Sequence, residues 1–191
     1  MSKKADAVII GGGVMGCSIL YNLAARGLKK VVLLERDLLG SGSTGRSSGV
    51  VRMHYSTEIH ARMAWLSLEV LRDFDEIVGG DAGFVQTGFV IVSGDADLAA
   101  FRDNVAMHQA VGIQTSIISR EDAKEVASGF YLDDCAGIAY EPQSGYADPS
   151  GTASAYARRA RDLGATVQLQ TPATGIEVTG GQVVAVLTAE E

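Results

Sequence analysis

Residues Ala7 to Glu35 constrain this chain more than any other stretch. Val8, Ile9 and Ile10 form a short apolar run, and Gly11-Gly12-Gly13-Val14-Met15-Gly16 follows directly. Ile19, Leu20 and Leu23 then recur at helical spacing, and Gly27 stands where a left-handed C-cap belongs. A second apolar run, Val31 to Leu34, ends in Glu35. The order is strand, glycine turn, helix, strand and acid, which is the dinucleotide-binding fingerprint in its full context.

Each residue type in the fingerprint has a physical reason. Gly11 permits the turn off the strand, Gly13 lets a pyrophosphate approach the backbone, and Gly16 lets the helix pack close to the strand. The N–H groups at the helix start, those of Val14 and Met15 included, face the phosphates together with the positive end of the helix dipole. Glu35 lies 19 positions after Gly16, near the ~20 expected of the acid that bonds a ribose 2′-hydroxyl. At a strand's carboxyl end, it is expected to face a ligand crevice outside the core. Its charge repels a 2′-phosphate, so FAD or NAD fits and NADP does not.

Composition removes other classes. The 191 residues carry 16 basic and 23 acidic side chains, a net charge of −7, with no basic patch, which argues against nucleic-acid binding. No apolar run has membrane length, and no signal-peptide core follows Met1-Ser2-Lys3-Lys4. Cys17 and Cys135 are too few for a disulfide framework and lie in no metal-type spacing, so no metal site is expected. Cys17 reads as a small core residue, and the expected compartment is the cytoplasm.

Past Glu35-Arg36 runs Gly40-Ser41-Gly42-Ser43-Thr44-Gly45-Arg46-Ser47-Ser48-Gly49, leading into Val50-Val51-Arg52-Met53-His54-Tyr55. A small-residue run rich in hydroxyls is often a linker. Beside a dinucleotide turn, and followed by an ordered-looking segment, it is suited to holding the rest of a cofactor. Ser56 or Thr57 caps a helix whose Ile59, Met63, Leu66, Val70, Phe74 and Ile77 step by fours and threes, a stripe expected in the core. Strands are predicted at 84–92, 115–118 and 136–140, and helices from Asp95 or Asp97 to Gly112 and from Ser119 to about Val126. His108 falls on the solvent side of its helix by spacing. Asp148 and Pro149 open a helix whose buried face is Ala153, Tyr156, Ala157, Ala160 and Leu163. A strand at Val167–Leu169 returns to the parallel sheet, and Thr174 to Leu187 form a hairpin about Gly180-Gly181.

The expected architecture is α/β. A Rossmann-like parallel sheet takes residues 1–80 and 145–191, and part of an antiparallel α+β domain is inserted at 81–144. Three motifs together carry a family resemblance: Gly11 to Glu35-Arg36, Gly42 to Gly49 followed by Arg52, and Gly145-Tyr146-Ala147-Asp148-Pro149. In combination they resemble the FAD-dependent D-amino-acid oxidase superfamily, on the branch of sarcosine oxidase, glycine oxidase and dimethylglycine dehydrogenase. The resemblance spans essentially the whole chain, which is similar to an amino-terminal portion of such an enzyme.

The resemblance implies FAD as cofactor, with the adenosine half at Gly11, Gly13, Val14, Met15, Gly16, Glu35 and Arg36. Ser43, Thr44, Arg46, Ser47 and Ser48 would pass along the pyrophosphate and the flavin. It implies Arg52 as an anchor for a substrate carboxylate, a task suited to a two-pronged guanidinium, with an internal salt bridge as the other reading of Arg52. Where some relatives carry a second arginine near the flavin, this chain has Gly49. His54 and Tyr55, neighbours of Arg52, are the candidates for proton chemistry. The implied activity is oxidation of a small amino acid or N-methylated amine by hydride transfer to flavin. Other readings are a nucleotide-binding fragment that self-associates or needs a carboxyl-terminal partner, a 2-hydroxy-acid dehydrogenase, and an NAD-dependent piece.

Overall fold

The computed structural model describes residues 4–189. The chain opens with β1 (Ala7–Ile10), α1 (Val14–Ala25), β2 (Val31–Leu34), β3 (Val50–Val51), α2 (Glu58–Arg72) and α3 (Phe74–Ile77). Next come β4 (Val85–Gln86), β5 (Phe89–Ser93), α4 (Leu98–Ala110), β6 (Ser116–Ile117) and α5 (Arg120–Val126). It closes with β7 (Gly137–Glu141), β8 (Gly145–Tyr146), α6 (Pro149–Asp162), β9 (Thr166–Gln168), β10 (Ala173–Thr179) and β11 (Gln182–Thr188).

Two compact units result. The first comprises residues 1–48, 74–83 and 148–191, and the second 49–73 and 84–147. The expected boundaries at 80/81 and 144/145 therefore move by three residues each, and a larger change affects Gly49–Asp73. That segment joins the second unit because Met53, Ala61 and Leu68 bury themselves there with Ile113.

In the first unit the sheet order is β1-β2-β9, all parallel, with Val8 opposite Val32 and Leu34 opposite Gln168. Cys17, Leu20 and Ala24 form the buried stripe of α1, and full burial of a leucine contributes about 1.5–3 kcal/mol. The small residues Ala153, Ala157 and Ala160 let α6 approach α1 closely, and Tyr156 fills the space between Tyr21 and Phe74 with ring centroids 5.5 and 5.0 Å away. The α6 cap read from sequence is present, since Asp148 accepts from the Ser150 amide and Pro149 is the first helical residue, whereas Thr57 before α2 and Asp97 before α4 make no side-chain cap bond. Leu163, expected on the buried face, is the C-cap residue and is exposed. The β10–β11 hairpin turns at Gly180 and Gly181, both at positive φ as a tight two-residue turn requires.

The second unit is antiparallel, with sheets ordered β3-β8-β4 and β5-β7-β6. Phe101 and Val105 of α4 cover Ala139 of β7. Ser119 and Asp122 form the capping box that starts α5.

Helix α2 departs from the sequence reading. Ile59, Met63 and Leu66 are 62%, 54% and 61% exposed, whereas Ala61 and Leu68 are buried with Ala64 and Trp65 packed beside them. The helix carries two apolar stripes, and the one with Ala61 and Ala64 permits the closer approach to Met53 and Ile113. The helix also ends at Arg72, so Phe74 and Ile77 belong to α3, where Phe74 is buried and Ile77 exposed.

Candidate functional site

At the glycine turn the chain leaves β1 with Gly11 at φ +109°, a conformation that L side chains rarely adopt. A Cβ on Gly16 would lie 2.0 Å from the Gly11 carbonyl oxygen, so only glycine lets α1 sit this close to the turn. Gly13 is the N-cap without a side-chain cap, and the first turn of α1 carries no acidic residue. The Val14 amide donates to Thr44 Oγ1 at 3.0 Å. The amides of Met15 and Gly16 have no acceptor among the described residues. Two outward N–H groups, the helix dipole and a neutral rim fit the anionic pyrophosphate of a dinucleotide.

Glu35 is buried, contrary to the expectation that it stands outside the core. Its Oε2 accepts from the Gly12 amide at 2.5 Å and its Oε1 from the Asp37 amide at 2.8 Å. The carboxylate thus pins the glycine turn to the end of β2, and each oxygen keeps a lone pair for a ribose hydroxyl. The Gly40 amide adds a third tie, to the Gly12 carbonyl. Gly12, which sequence reasoning left without a role, is the residue through which these ties run.

The hydroxyl-rich segment is ordered. Thr44–Arg46 form a single 3-10 turn, closed by Gly45 N–H to the Gly40 carbonyl at 2.7 Å and Ser47 N–H to the Thr44 carbonyl at 3.2 Å. Thr44 is brought to the start of α1, while Arg36, Ser43, Arg46, Ser47 and Ser48 are at the surface. Cys17 lies under the turn, its thiol pushed up to about 11 by burial and then by Glu35, an inert core position as expected.

Arg52, His54 and Tyr55 lie in the second unit. Arg52 Nη1 donates to the His54 carbonyl, and its guanidinium lies 4.8 Å from the centre of the Tyr55 ring. That is a cation–π stack, not the internal salt bridge considered from sequence. His54 borders a cleft lined by Phe101, Asn104 and Asp97.

Behind His54 are two residues that sequence reasoning missed. His108, expected on the solvent side of its helix, is fully buried, with its ring centre 4.8 Å from that of His54. Its Nε2 is 2.8 Å from the Tyr55 carbonyl oxygen. Glu141 is also fully buried, and its Oε2 accepts from the Met53 amide at 3.0 Å and the Ser144 hydroxyl at 2.9 Å. Its Oε1 is 3.9 Å from His54 Nδ1. Burial, then His108 and Arg52, push His54 down to about 4, so its imidazole is neutral near pH 7. The only sequence signal for Glu141 is a carboxylate ending an apolar strand.

No helix among the described residues is long and apolar enough to cross a membrane. Human mitochondrial sarcosine dehydrogenase is 32% identical over 180 residues, 93% of this chain and 20% of that protein. The formaldehyde-forming 4-methylaminobutanoate oxidase of Paenarthrobacter nicotinovorans is 29% identical over 95% of this chain and 22% of its own length. Among solved structures, L-proline dehydrogenase from P. horikoshii superposes with a TM-score of 0.91 at 29% identity, covering 100% of this chain and 50% of that one. The chain thus spans about a fifth of these two curated relatives and half of this structure. The family model described as DAO, FAD dependent oxidoreductase, matches residues 6–191, and with the Rossmann-like turn this places the chain in that FAD-dependent family.

Proposed function

We propose that this chain carries the FAD-binding portion of an oxidoreductase that oxidises a small amino acid or N-methylated amine. The observation that carries the reading is the pair of outward amides, Met15 and Gly16, above a turn pinned by the buried Glu35 carboxylate. FAD, when bound, supplies the two-electron acceptor for oxidation of a carbon–nitrogen bond.

The chain's own residues have distinct tasks. The α1 N-terminus holds the pyrophosphate, and Glu35 takes the adenosine ribose hydroxyls with the lone pairs left by Gly12 and Asp37. Gly11 and Gly13 leave the backbone open to the phosphates, with the Val14 and Met15 amides at the rim. Ser43, Thr44, Arg46, Ser47 and Ser48 continue the site along the cofactor, and Arg36 flanks the adenosine. Arg52 keeps guanidinium donors beyond the one bonded to the His54 carbonyl, and these orient a substrate carboxylate. The relatives named for sarcosine, 4-methylaminobutanoate and proline support an amine or amino-acid substrate.

The test has two stages. The purified chain is titrated with FAD and, separately, with NADH, and tight FAD binding alone is expected. The flavin-loaded protein is then mixed anaerobically with sarcosine, dimethylglycine, proline and lactate while flavin absorbance is followed. Bleaching by an amine or amino acid is expected of the complete enzyme. Bleaching by lactate with none by any amine would overturn the substrate class, and NADH binding in place of FAD would overturn the cofactor. FAD bound without any bleaching would leave the 191-residue chain as a binding portion that needs further protein for turnover.

A further inference from the structure

Buried polar atoms nearly always find a partner, yet among the described residues five buried side-chain atoms of the second unit lack one, and three of the five belong to neighbouring side chains. These three are His54 Nδ1, His108 Nδ1 and Glu141 Oε1. One ligating atom from each of these residues lies within 4.8 Å of the others. Two imidazole nitrogens and one carboxylate oxygen are a metal-ligand set of the kind zinc takes. We propose that His54, His108 and Glu141 bind a single divalent transition-metal ion of the zinc type, clamping the segment after β3 to α4 and to the end of β7.

The surroundings prepare each donor. His108 Nε2 lies 2.8 Å from the Tyr55 carbonyl oxygen and 3.3 Å from the Tyr55 amide nitrogen, and in the tautomer with the proton on Nε2 it donates to that carbonyl and leaves the lone pair on Nδ1. Such a backbone acceptor is the usual partner that fixes a ligating histidine's tautomer. The Met53 amide and the Ser144 hydroxyl hold Oε2 of Glu141, so Oε1 is the free oxygen of an anchored carboxylate. His54 also borders the cleft beside Phe101 and Asn104, and a water would complete a four-coordinate site.

Geometry and charge set limits. A tetrahedral zinc with bonds of about 2.1 Å needs ligand atoms roughly 3.4 Å apart, so the three side chains must close by about an ångström. The Arg52 guanidinium lies near His54 and opposes a cation, which Glu141 offsets in part. The competing occupant is a buried water bridging the three atoms.

The experiment strips the chain with a chelator and titrates it with zinc against a chromogenic competitor. One zinc per chain and a raised unfolding temperature are expected. His54→Ala and Glu141→Gln should each weaken binding by more than about a hundredfold, because even the outer partners of a metal ligand are worth roughly 10–100-fold. His60→Ala and Cys135→Ser, changes to a surface imidazole and a thiol, should leave binding unchanged. Cobalt substituted into the wild-type chain should show visible bands of low-coordinate nitrogen and oxygen ligation without thiolate charge transfer, a readout that needs no variant to fold. Zinc binding that survives His54→Ala, no retained zinc in the wild type, or a crystal structure with water among the three atoms would each overturn the site.

Discussion

The Glu35 carboxylate holds the Gly12 amide at 2.5 Å across 23 positions of sequence. A residue read as a cofactor contact is therefore also part of the structure of the turn it serves. Glu35→Gln replaces one acceptor oxygen by an amide that faces a backbone N–H, either Gly12 or Asp37. A hydrogen bond to a charged group is worth roughly 1.5–3 kcal/mol, so unfolding stability in urea should fall by about that amount. FAD affinity should fall roughly ten- to a hundredfold. An affinity loss with unchanged stability would mean that the carboxylate serves the ligand alone.

Gly16→Ala tests the close approach of α1 to the turn. The new methyl would lie 2.0 Å from the Gly11 carbonyl oxygen and 3.2 Å from its carbon, and backbone has little room to yield. Overpacking of this kind costs about 1–3 kcal/mol. Denaturant titration should show that loss together with weakened FAD binding, and a stable, FAD-binding variant would contradict the packing described here.

The turn, the strand–helix–strand order, and the Ser119–Asp122 and Asp148–Pro149 caps were legible because each depends on residues a few positions apart. The burial of α2 was not, since Ile59-Met63-Leu66 and Ala61-Trp65-Leu68 are both apolar stripes on one helix. Only the partners Met53 and Ile113, remote in sequence, decide between them. His108 and Glu141 were illegible for the same reason. Their burial depends on each other and on His54, which is 54 and 87 positions away.

The two stripes of α2 make opposite predictions for substitution. Leu66→Lys should change stability by less than about 0.5 kcal/mol, as expected of a surface position. Leu68→Ala should cost about 2–5 kcal/mol, as expected of a buried leucine. Thermal or chemical unfolding of the two variants compares them directly, and the reverse ranking would restore the stripe read from sequence.

Acid should weaken the metal-free second unit through His54. Its folded-state pKa of about 4 lies below the ordinary 6.5, so the unfolded chain binds the proton more tightly. The stabilising effect is full above about pH 6.5 and is lost as pH falls towards 4. Allowing for its partial exposure, the loss is on the order of 2 kcal/mol. His108, Arg52 and Glu141 are the charged or titratable groups facing it. Stability curves of wild type and His54→Gln, recorded with a chelator, should differ in slope between these pH values. Parallel curves would place the imidazole in water.

Arg52→Lys retains the charge but loses the planar fork. In the flavin-loaded enzyme it should lower kcat/KM for a carboxylate-bearing amine by roughly ten- to a hundredfold, mostly through KM. Steady-state kinetics separates the two constants. A fall in kcat alone would assign Arg52 to holding the His54 carbonyl and the Tyr55 ring in place.

The alternation of the chain between units has a kinetic consequence. Val32 of β2 waits for Thr166 of β9, which is synthesised 134 residues later, after the whole second unit. Contact order in the parallel sheet is therefore high, and loop-closure entropy must be met before that pairing is rewarded. On the ribosome the antiparallel unit has its full sequence first, while the early glycine turn remains half-built. The parallel sheet that carries the glycine turn is completed only once β9 has been synthesised.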